Sequence, residues 1–322
     1  MKRSEQGAAL LSVLLLVAVM AVLAAAALEK LKLATHLATN AAAIDQARAY
    51  AMAGETIALY RIGDLIQRDA NRTTREGDWE GRETSFPIDG GIASARLSDG
   101  GNCFNLNSVV QGDVAGGLTV RQGGVEEFAR LMTLLDVPPN VAQGVALATA
   151  DWIDSDTVPL QGGAEDDTYQ RGPLRYRTAN TLMADRSELR AVAGVTPELY
   201  ARLQPFLCAL PVHELSSINV DTLTPQQAPL LAMLSANIDP ARARSAIEQR
   251  PPGGWVSTAD FWKQPMLAGV ADAAKGQAVL NTRWFGLRLL VELAGAELEE
   301  NALIDGGVKP GRLVRRSYGE AT

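Results

Sequence analysis

MKRSEQGAALLSVLLLVAVMAVLAAAALEK, residues 1–30, decides the architecture of this chain. A short leader with Lys2, Arg3 and Glu5 precedes an apolar run from Ala8 to Leu28, 21 residues in which Ser12 is the only polar member. At ~1.5 Å per residue such a helix is roughly 31 Å long, the hydrocarbon thickness of a bilayer. The chain therefore starts in a membrane. Lys2 and Arg3 precede the run, and positive charge stays cytoplasmic, so the rest of the chain is expected across the membrane. The helical pattern does not stop at Leu28. It continues through Glu29–Leu33 into Ala-rich sequence as far as about Ile66, with no proline before Pro87. One long helix over 8–66 is predicted. Its first half is apolar all round; its second half carries a loose apolar stripe of Leu28, Leu31, Leu33, Leu37, Ile44, Ala47, Ala51 and Ile57.

Two readings of the start compete. A secretory signal would be cut after the apolar run, where AAAAL at 24–28 offers small residues. That run is longer than the usual signal core of about 7–15 residues. The other reading cuts before the run, after Gly7. A basic hexapeptide, a glycine and a long apolar helix resemble the class III, type IV prepilin-like leader. The resemblance implies cleavage between Gly7 and Ala8 by prepilin peptidase on the cytoplasmic side, with methylation of the new N-terminus at Ala8. Most pilins have Glu at the fifth mature position, where this chain has Ser12. Within that resemblance, the K-type minor pseudopilin of type II secretion is the member lacking this Glu.

The 322 residues suffice for one large or two ordinary domains. The chain carries −7 and its leader +1, which leaves −8 from Ala8 onward. An acidic body argues against nucleic acid as the main partner and is compatible with divalent cations. Two cysteines, Cys103 and Cys208, in a periplasmic body are expected to pair. The bridge would close a loop of about a hundred residues, a constraint of about 3–5 kcal/mol on the unfolded chain. With two Cys and two His (His36, His213) far apart, no zinc pattern exists.

Residues 67–85 are polar and predict a loop. Short strand signals follow as TSFPI, a DGG turn, IASARL and CFNL, up to Asn107. From Val125 to Arg250 the signals are helical, each closed by Gly, Pro or Asn. After Asn281 strands return, with a second DGG turn at 305–307. An α+β fold explains this order most simply: a leader at 1–7, a helix at 8–66, a first part of an antiparallel sheet at 67–107, an all-α domain inserted at 108–280, and the rest of the sheet at 281–322. Two sequential domains are the alternative, but the first would have too few strands to stand alone.

The segment ADWIDSDTVPLQGGAEDDTY, 150–169, holds Asp151, Asp154, Asp156, Glu165, Asp166 and Asp167 with no Lys or Arg between them. Carboxylates this dense repel unless solvated or bound to a cation, and Ca²⁺ takes several oxygen ligands at flexible geometry. Pro159 and Gly162-Gly163 allow the loop to fold back. The spacing is not that of an EF-hand, and a solvated acidic loop remains the bland alternative. Asp151, beside bulky Trp152 and Ile153, is the least secure ligand. INVDTLTPQQAPLLAMLSANIDPARARSAIEQR followed by WVSTADFW looks like a helix-hairpin-helix arrangement, but its SANID turn lacks glycine and its positives are Arg242, Arg244 and Arg250. No Ser or Cys nucleophile motif accompanies either histidine, and no Gly-rich segment is followed by Lys-Ser/Thr.

In order, GAALLSVLLLVA at 7–18, CFNLN at 103–107, ADWIDSD with GAEDDTY, SELR at 187–190 and INVDT at 218–222 resemble the general secretion pathway K protein family over nearly the whole chain. The family commonly has INVNT, so Asp221 is a small departure. The resemblance implies a pilin-like fold: a long N-terminal helix, an antiparallel sheet and a large α-domain inserted between strands. It implies a calcium site drawn from Asp154, Asp156, Glu165, Asp166 and Asp167, with Asp151 less firmly. It also implies a minor pseudopilin anchored in the bacterial inner membrane with its body in the periplasm, acting by assembly and not as an enzyme. Its implied partners are the I and J minor pseudopilins in a tip complex, other pseudopilins and prepilin peptidase, with a role in pseudopilus initiation. A bulky insert and the missing Glu at Ser12 suit a tip position. Two rivals are a membrane-anchored periplasmic hydrolase with the acidic loop as a metal-assisted site, and a competence-type DNA-binding protein. Both leave the Gly7 junction unexplained.

Overall fold

The computed structural model describes residues 3–113, 116–172 and 174–319, with backbone alone for 3–9. Helix α1, Arg3–Arg68, runs 66 residues without a break, roughly 100 Å. It contains no proline, and its apolar window has a mean hydropathy of 2.9 with none of it buried. Both Gly7 and Ala8 lie on this helix. From residue 10 to 42 the helix is exposed on every side; Ala43 is the first buried residue.

The remaining elements follow in chain order. Strands β1 (Glu83–Ile88) and β2 (Gly91–Asp99) form a hairpin. Then come the short strands β3 (Phe104–Asn105), β4 (Val110–Asp113) and β5 (Gly117–Val120). Helices α2 (Gln122–Leu134), α3 (Pro139–Ile153), α4 (Asp166–Gln170) and α5 (Pro197–Leu203) lead to β6 (Leu207–Cys208) and β7 (Ile218–Asn219). Helices α6 (Ala228–Ala232), α7 (Pro240–Glu248), α8 (Thr258–Trp262) and α9 (Asp272–Lys275) precede β8 (Ala278–Val279). The chain closes with β9 (Trp284–Leu293), β10 (Ala296–Asp305) and β11 (Arg312–Tyr318).

Five strands make one antiparallel sheet in the order β1-β2-β9-β10-β11. Strand β2 pairs directly with β9, from Gly91 opposite Leu293 to Asp99 opposite Phe285. The chain thus leaves the sheet after Asp99 and re-enters beside it, where Gly100 N–H donates to Trp284 O at 2.8 Å. Everything between is an insertion whose two ends meet, and it builds one large core of its own.

Two expectations change. Of the predicted stripe on α1, Ala47 and Ala51 pack on the sheet, but Leu31, Leu33 and Leu37 are 61–64% exposed, and Ile57 is exposed as well. The buried face is Ala43, Ala47, Ala51, Gly54, Ala58 and Ile62, set against Phe285, Leu287, Leu289 and Val291 of β9. Small side chains win because the helix lies close to the sheet; a methyl group on Gly54 would stand 2.9 Å from Leu289 Cδ2. The sheet boundary at 107 also moves. Strand β3 pairs with β6 inside the insertion, and Phe104 stacks on Phe128 with centroids 4.7 Å apart. CFNL alternates like a strand, but its partner strand belongs to the α-domain. Cys103 and Cys208 are bonded with Cα atoms 5.8 Å apart, so the bridge ties the insertion's entry to its own interior.

A charged seam crosses the helix–sheet contact. Arg316 of β11 donates through Nε and Nη2 to both oxygens of Glu55 on α1, at 2.6 and 2.5 Å. Glu300 of β10 is fully buried, 3.8 Å from the same guanidinium, with neither oxygen otherwise bonded. Burial raises Glu55, but Arg316 outweighs it and holds that carboxyl below its usual range. Burial first, then the adjacent Glu55, push Glu300 up to about 7. A carboxyl raised on folding gives stability that is complete below its ordinary pKa of about 4.5 and lost as pH rises through about 7. Melting temperatures across pH 5–8 are therefore expected to fall toward alkaline pH, and Glu300→Gln is expected to flatten that fall. An unchanged slope in the variant would show that Glu300 titrates normally.

Candidate metal centre

Helix α3 starts on Pro139 and ends at Ile153, so the acidic loop begins as its last turn closes; Asp154 N–H still donates to Ala150 O. The loop then folds back, and Asp151 is what folds it. This carboxylate, entirely buried, accepts from Leu160 N–H at 3.2 Å and from Ala164 N–H at 2.7 Å. Gly163 must be glycine, because a Cβ there would lie 2.0 Å from Asp151 Oδ2. Gly162 makes the turn at φ +96°.

The fold-back brings Asp154, Asp156 and Glu165 together: one carboxylate oxygen from each lies within 4.8 Å of the others. Asp154 and Glu165 are buried, and Asp154 Oδ1 and Glu165 Oε1 have no hydrogen-bond partner. Asp156 is exposed and accepts from Val158 N–H at 2.8 Å. The structure does not bring in the other three. Asp151 is committed to the loop backbone. Asp166 accepts from Thr178 N–H and Oγ1 at 3.0 and 3.1 Å. Asp167 is exposed, 3.6 Å from Arg171.

Two residues escaped the sequence reading. Thr178 shares its one hydroxyl proton between Asp166 Oδ1 and Glu165 Oε2, the latter at 3.2 Å. Asn180, at φ +49°, bonds Trp152 O through its backbone and Asp156 O through Nδ2, while its Oδ1 is buried without a partner. Asn tolerates the left-handed region, the one local signal that could have marked it. The donor set of the three carboxylates is thus oxygen only, with two of its buried oxygens unpaired, which suits a hard cation such as Ca²⁺.

The electrostatics are those of a site short of positive charge. Burial, then Asp156, Asp151 and Glu165, push Asp154 up to about 7. Burial outweighs two backbone hydrogen bonds and takes Asp151 to about 6. Glu165 is raised chiefly by burial, against its bond from Thr178. Elsewhere, two of the three arginines of the hairpin-like segment serve its own backbone: Arg242 reaches Asn237 O, and Arg250 reaches Val220 O and Leu223 O.

Comparison with known proteins gives one answer. Residues 102–212 and 218–281 match two family models, both described as type II secretion system, protein K. The chain is similar to type II secretion system protein K of Pectobacterium carotovorum subsp. carotovorum, 35% identical over 99% of this chain and 98% of that one. The Klebsiella pneumoniae protein is also 35% identical, with the same coverage. Among solved structures, a chain of the GspK–GspI–GspJ complex from the enterotoxigenic Escherichia coli type 2 secretion system superposes with a TM-score of 0.76 at 30% identity. It covers 86% of this chain and 96% of that chain.

The raised Asp154 has a consequence in chelating buffer. Its contribution to stability is complete below pH about 4 and lost as pH rises through about 7. The insertion is therefore expected to melt lower at pH 8 than at pH 5, and Asp154→Asn is expected to melt higher than wild type at pH 8 only. A variant destabilised equally at both pH values would mean that Asp154 is held by a bond, not strained by charge.

Proposed function

The chain belongs to the type II secretion system protein K family, and from that premise we propose that it is a minor pseudopilin at the pseudopilus tip, working by assembly and not by catalysis. One observation carries the reading. A helix bare over residues 10–42 stands below a head whose sheet is interrupted, between β2 and β9, by a domain larger than the sheet itself. The bare helix supplies an apolar surface for lipid and for neighbouring helices. The insertion would obstruct a subunit stacked above it, which suits the last position in a filament. Ser12 fits the same place, since a terminal subunit has no amine above it for a carboxylate to pair with.

The helix anchors the protein in the inner membrane, and the head stands in the periplasm. Prepilin peptidase removes residues 1–7 and methylates Ala8. Counterparts of the I and J pseudopilins are the partners, since the similar structure was solved as a GspK–GspI–GspJ complex. Together they initiate the pseudopilus that exports protein.

Calcium is the cation that Asp154, Asp156 and Glu165 would hold, with Asn180 Oδ1 as a further ligand. The unpaired buried oxygens of Asp154, Glu165 and Asn180 support that assignment. Its role is structural: it neutralises the loop that closes α3 onto α4.

N-terminal mass analysis of protein taken from membranes tests the reading. A chain starting at methylated Ala8 only when prepilin peptidase is present is expected; an intact Met1, or a cut near Ala27, would sink it. For the cation, calcium is expected to raise the melting temperature of the insertion over chelated protein. Asp154→Asn should abolish the shift, and Asn180→Ala should weaken affinity on the order of tenfold. Asp167→Ala should change nothing, and a loss there as large as at Asp154 would place the ion elsewhere.

A further inference from the structure

The connection from α1 to β1 is polar and apolar-poor, and its composition predicts a loose loop. Its first half is instead bonded at each step. Asp69 accepts from Asn71 N–H and Arg72 Nε, both at 2.9 Å. Arg72 Nη1 reaches across to Trp255 O at 3.3 Å. Thr73 is buried, and its N–H, its carbonyl and its hydroxyl oxygen each bond the insertion or its exit. Its N–H donates to Leu280 O at 2.7 Å, its O accepts from Asn219 Nδ2 at 3.0 Å, and its Oγ1 accepts from Thr282 N–H at 3.1 Å. The segment then returns to the sheet: Trp79 packs on Phe285, and Gly81 N–H donates to Leu97 O at 2.8 Å.

The topology says why such a crossing matters. The insertion is joined to the sheet by two chain segments lying side by side, after Asp99 and before Trp284. Two adjacent crossings alone define a hinge. The segment after α1 adds a third attachment and rejoins the sheet at β2, on the side away from β9. On the far edge, Arg315 of β11 binds Ala184 O and Ala209 O and lies 3.6 Å from Asp185. The hinge is thus restrained from both edges of the sheet.

We propose that residues 69–75 are a strap, pinned at Thr73, that fixes the orientation of the inserted domain on the pilin head. The strap sets the angle at which the insertion stands over the helix axis. This inference rests on the pseudopilin reading, because only in an assembly does that angle matter. Thr73 is accordingly a positioning residue: it is buried and acts through the insertion it holds.

The test uses the full chain in detergent micelles, with spin labels carried by non-canonical residues at exposed Tyr60 on α1 and exposed Val158 on the insertion. Wild type is expected to give one narrow distance distribution. Replacing residues 71–75 by Gly-Ser of equal length should broaden it severalfold, while amide protection at Phe128 and Phe285 is unchanged and secretion by a complemented strain falls severalfold. Thr73→Val keeps the side chain's size and the backbone bonds, so it isolates the hydroxyl. It should broaden the distribution partway, and Thr73→Ser should restore it. A narrow distribution in both the Gly-Ser and Thr73→Val proteins overturns the strap. Broadening with undiminished secretion overturns its role in positioning. If a normal wild-type distribution accompanies a chain dispensable for secretion, the pseudopilin reading fails and not the strap.

Discussion

The close contact of α1 with the sheet is the constraint on which the rest depends. It is made by a row of small residues, Ala47, Ala51, Gly54 and Ala58, laid on the leucines and valine of β9. Larger side chains would lift the helix from the sheet. Each small residue buries little area, so the attraction is spread over many weak contacts and owes its strength to fit. Across this dry seam lies one guanidinium shared by two carboxylates. Glu55 takes both of its hydrogen bonds, and Glu300 lies beside it, against Glu55 and 3.8 Å from the guanidinium. A buried charge of that kind gives specificity at some cost in stability, because the helix cannot slide by one turn without stranding Arg316. Fixing the register of α1 in the head also fixes how much helix is left bare below it.

That register has a consequence for the insertion. The β2–β9 pairing puts the exit and return of the chain at one end of two neighbouring strands, so a domain can be spliced there without disturbing the ladder. Short polar side chains then gather at the junction. Asp99 accepts from the hydroxyls of Thr222 and Thr282; Asn102 and Asn219 bond each other and the crossing segments. Such groups suit a place where three chain segments meet, since backbone donors and acceptors that no sheet or helix satisfies need partners there. The INVDT motif is thus a piece of joinery: Asn219 reaches Thr73, and Asp221 Oδ1 accepts from Trp255 N–H.

How much of this was legible in the sequence depended on whether the signal was local. The anchor helix, the order of strands and helices, and the insertion all follow from hydropathy, period and turn residues, which the chain carries locally. The packing face of α1 followed only in part: Ala47 and Ala51 of the apolar stripe pack, but its leucines and Ile57 do not, because the sheet's closeness favours Gly54 and the alanines. CFNL was legible as a strand but not as to its partner, since pairing is a long-range fact: Phe104 sits opposite Leu207. In the acidic loop, composition marked the site but could not rank six carboxylates. Asp151 stands apart from Asp154 only because its helix turn points it at the backbone of 160–164. Thr178 and Asn180, from a segment beyond the acidic run, were invisible as ligands or supports until the chain returned.

The division between Asp151 and Asp154 is the clearest case of how this fold separates tasks among identical side chains. Both are buried aspartates three residues apart at one helix end. Asp151 ends with two backbone donors, so its charge is answered within the protein. Asp154 ends facing Asp156 and Glu165, with one oxygen unpaired and only a backbone hydrogen bond from Asp156 to set against burial and its acidic neighbours. A loop organised by the first residue presents the second at full electrostatic cost. Asp154 and Asp156 are neighbours along the chain, but Glu165 joins them only through the fold, so repulsion among the three carboxylates is strongest in the folded loop. Any cation held there would act on the folded state alone, and its stabilisation would grow with its concentration relative to its affinity.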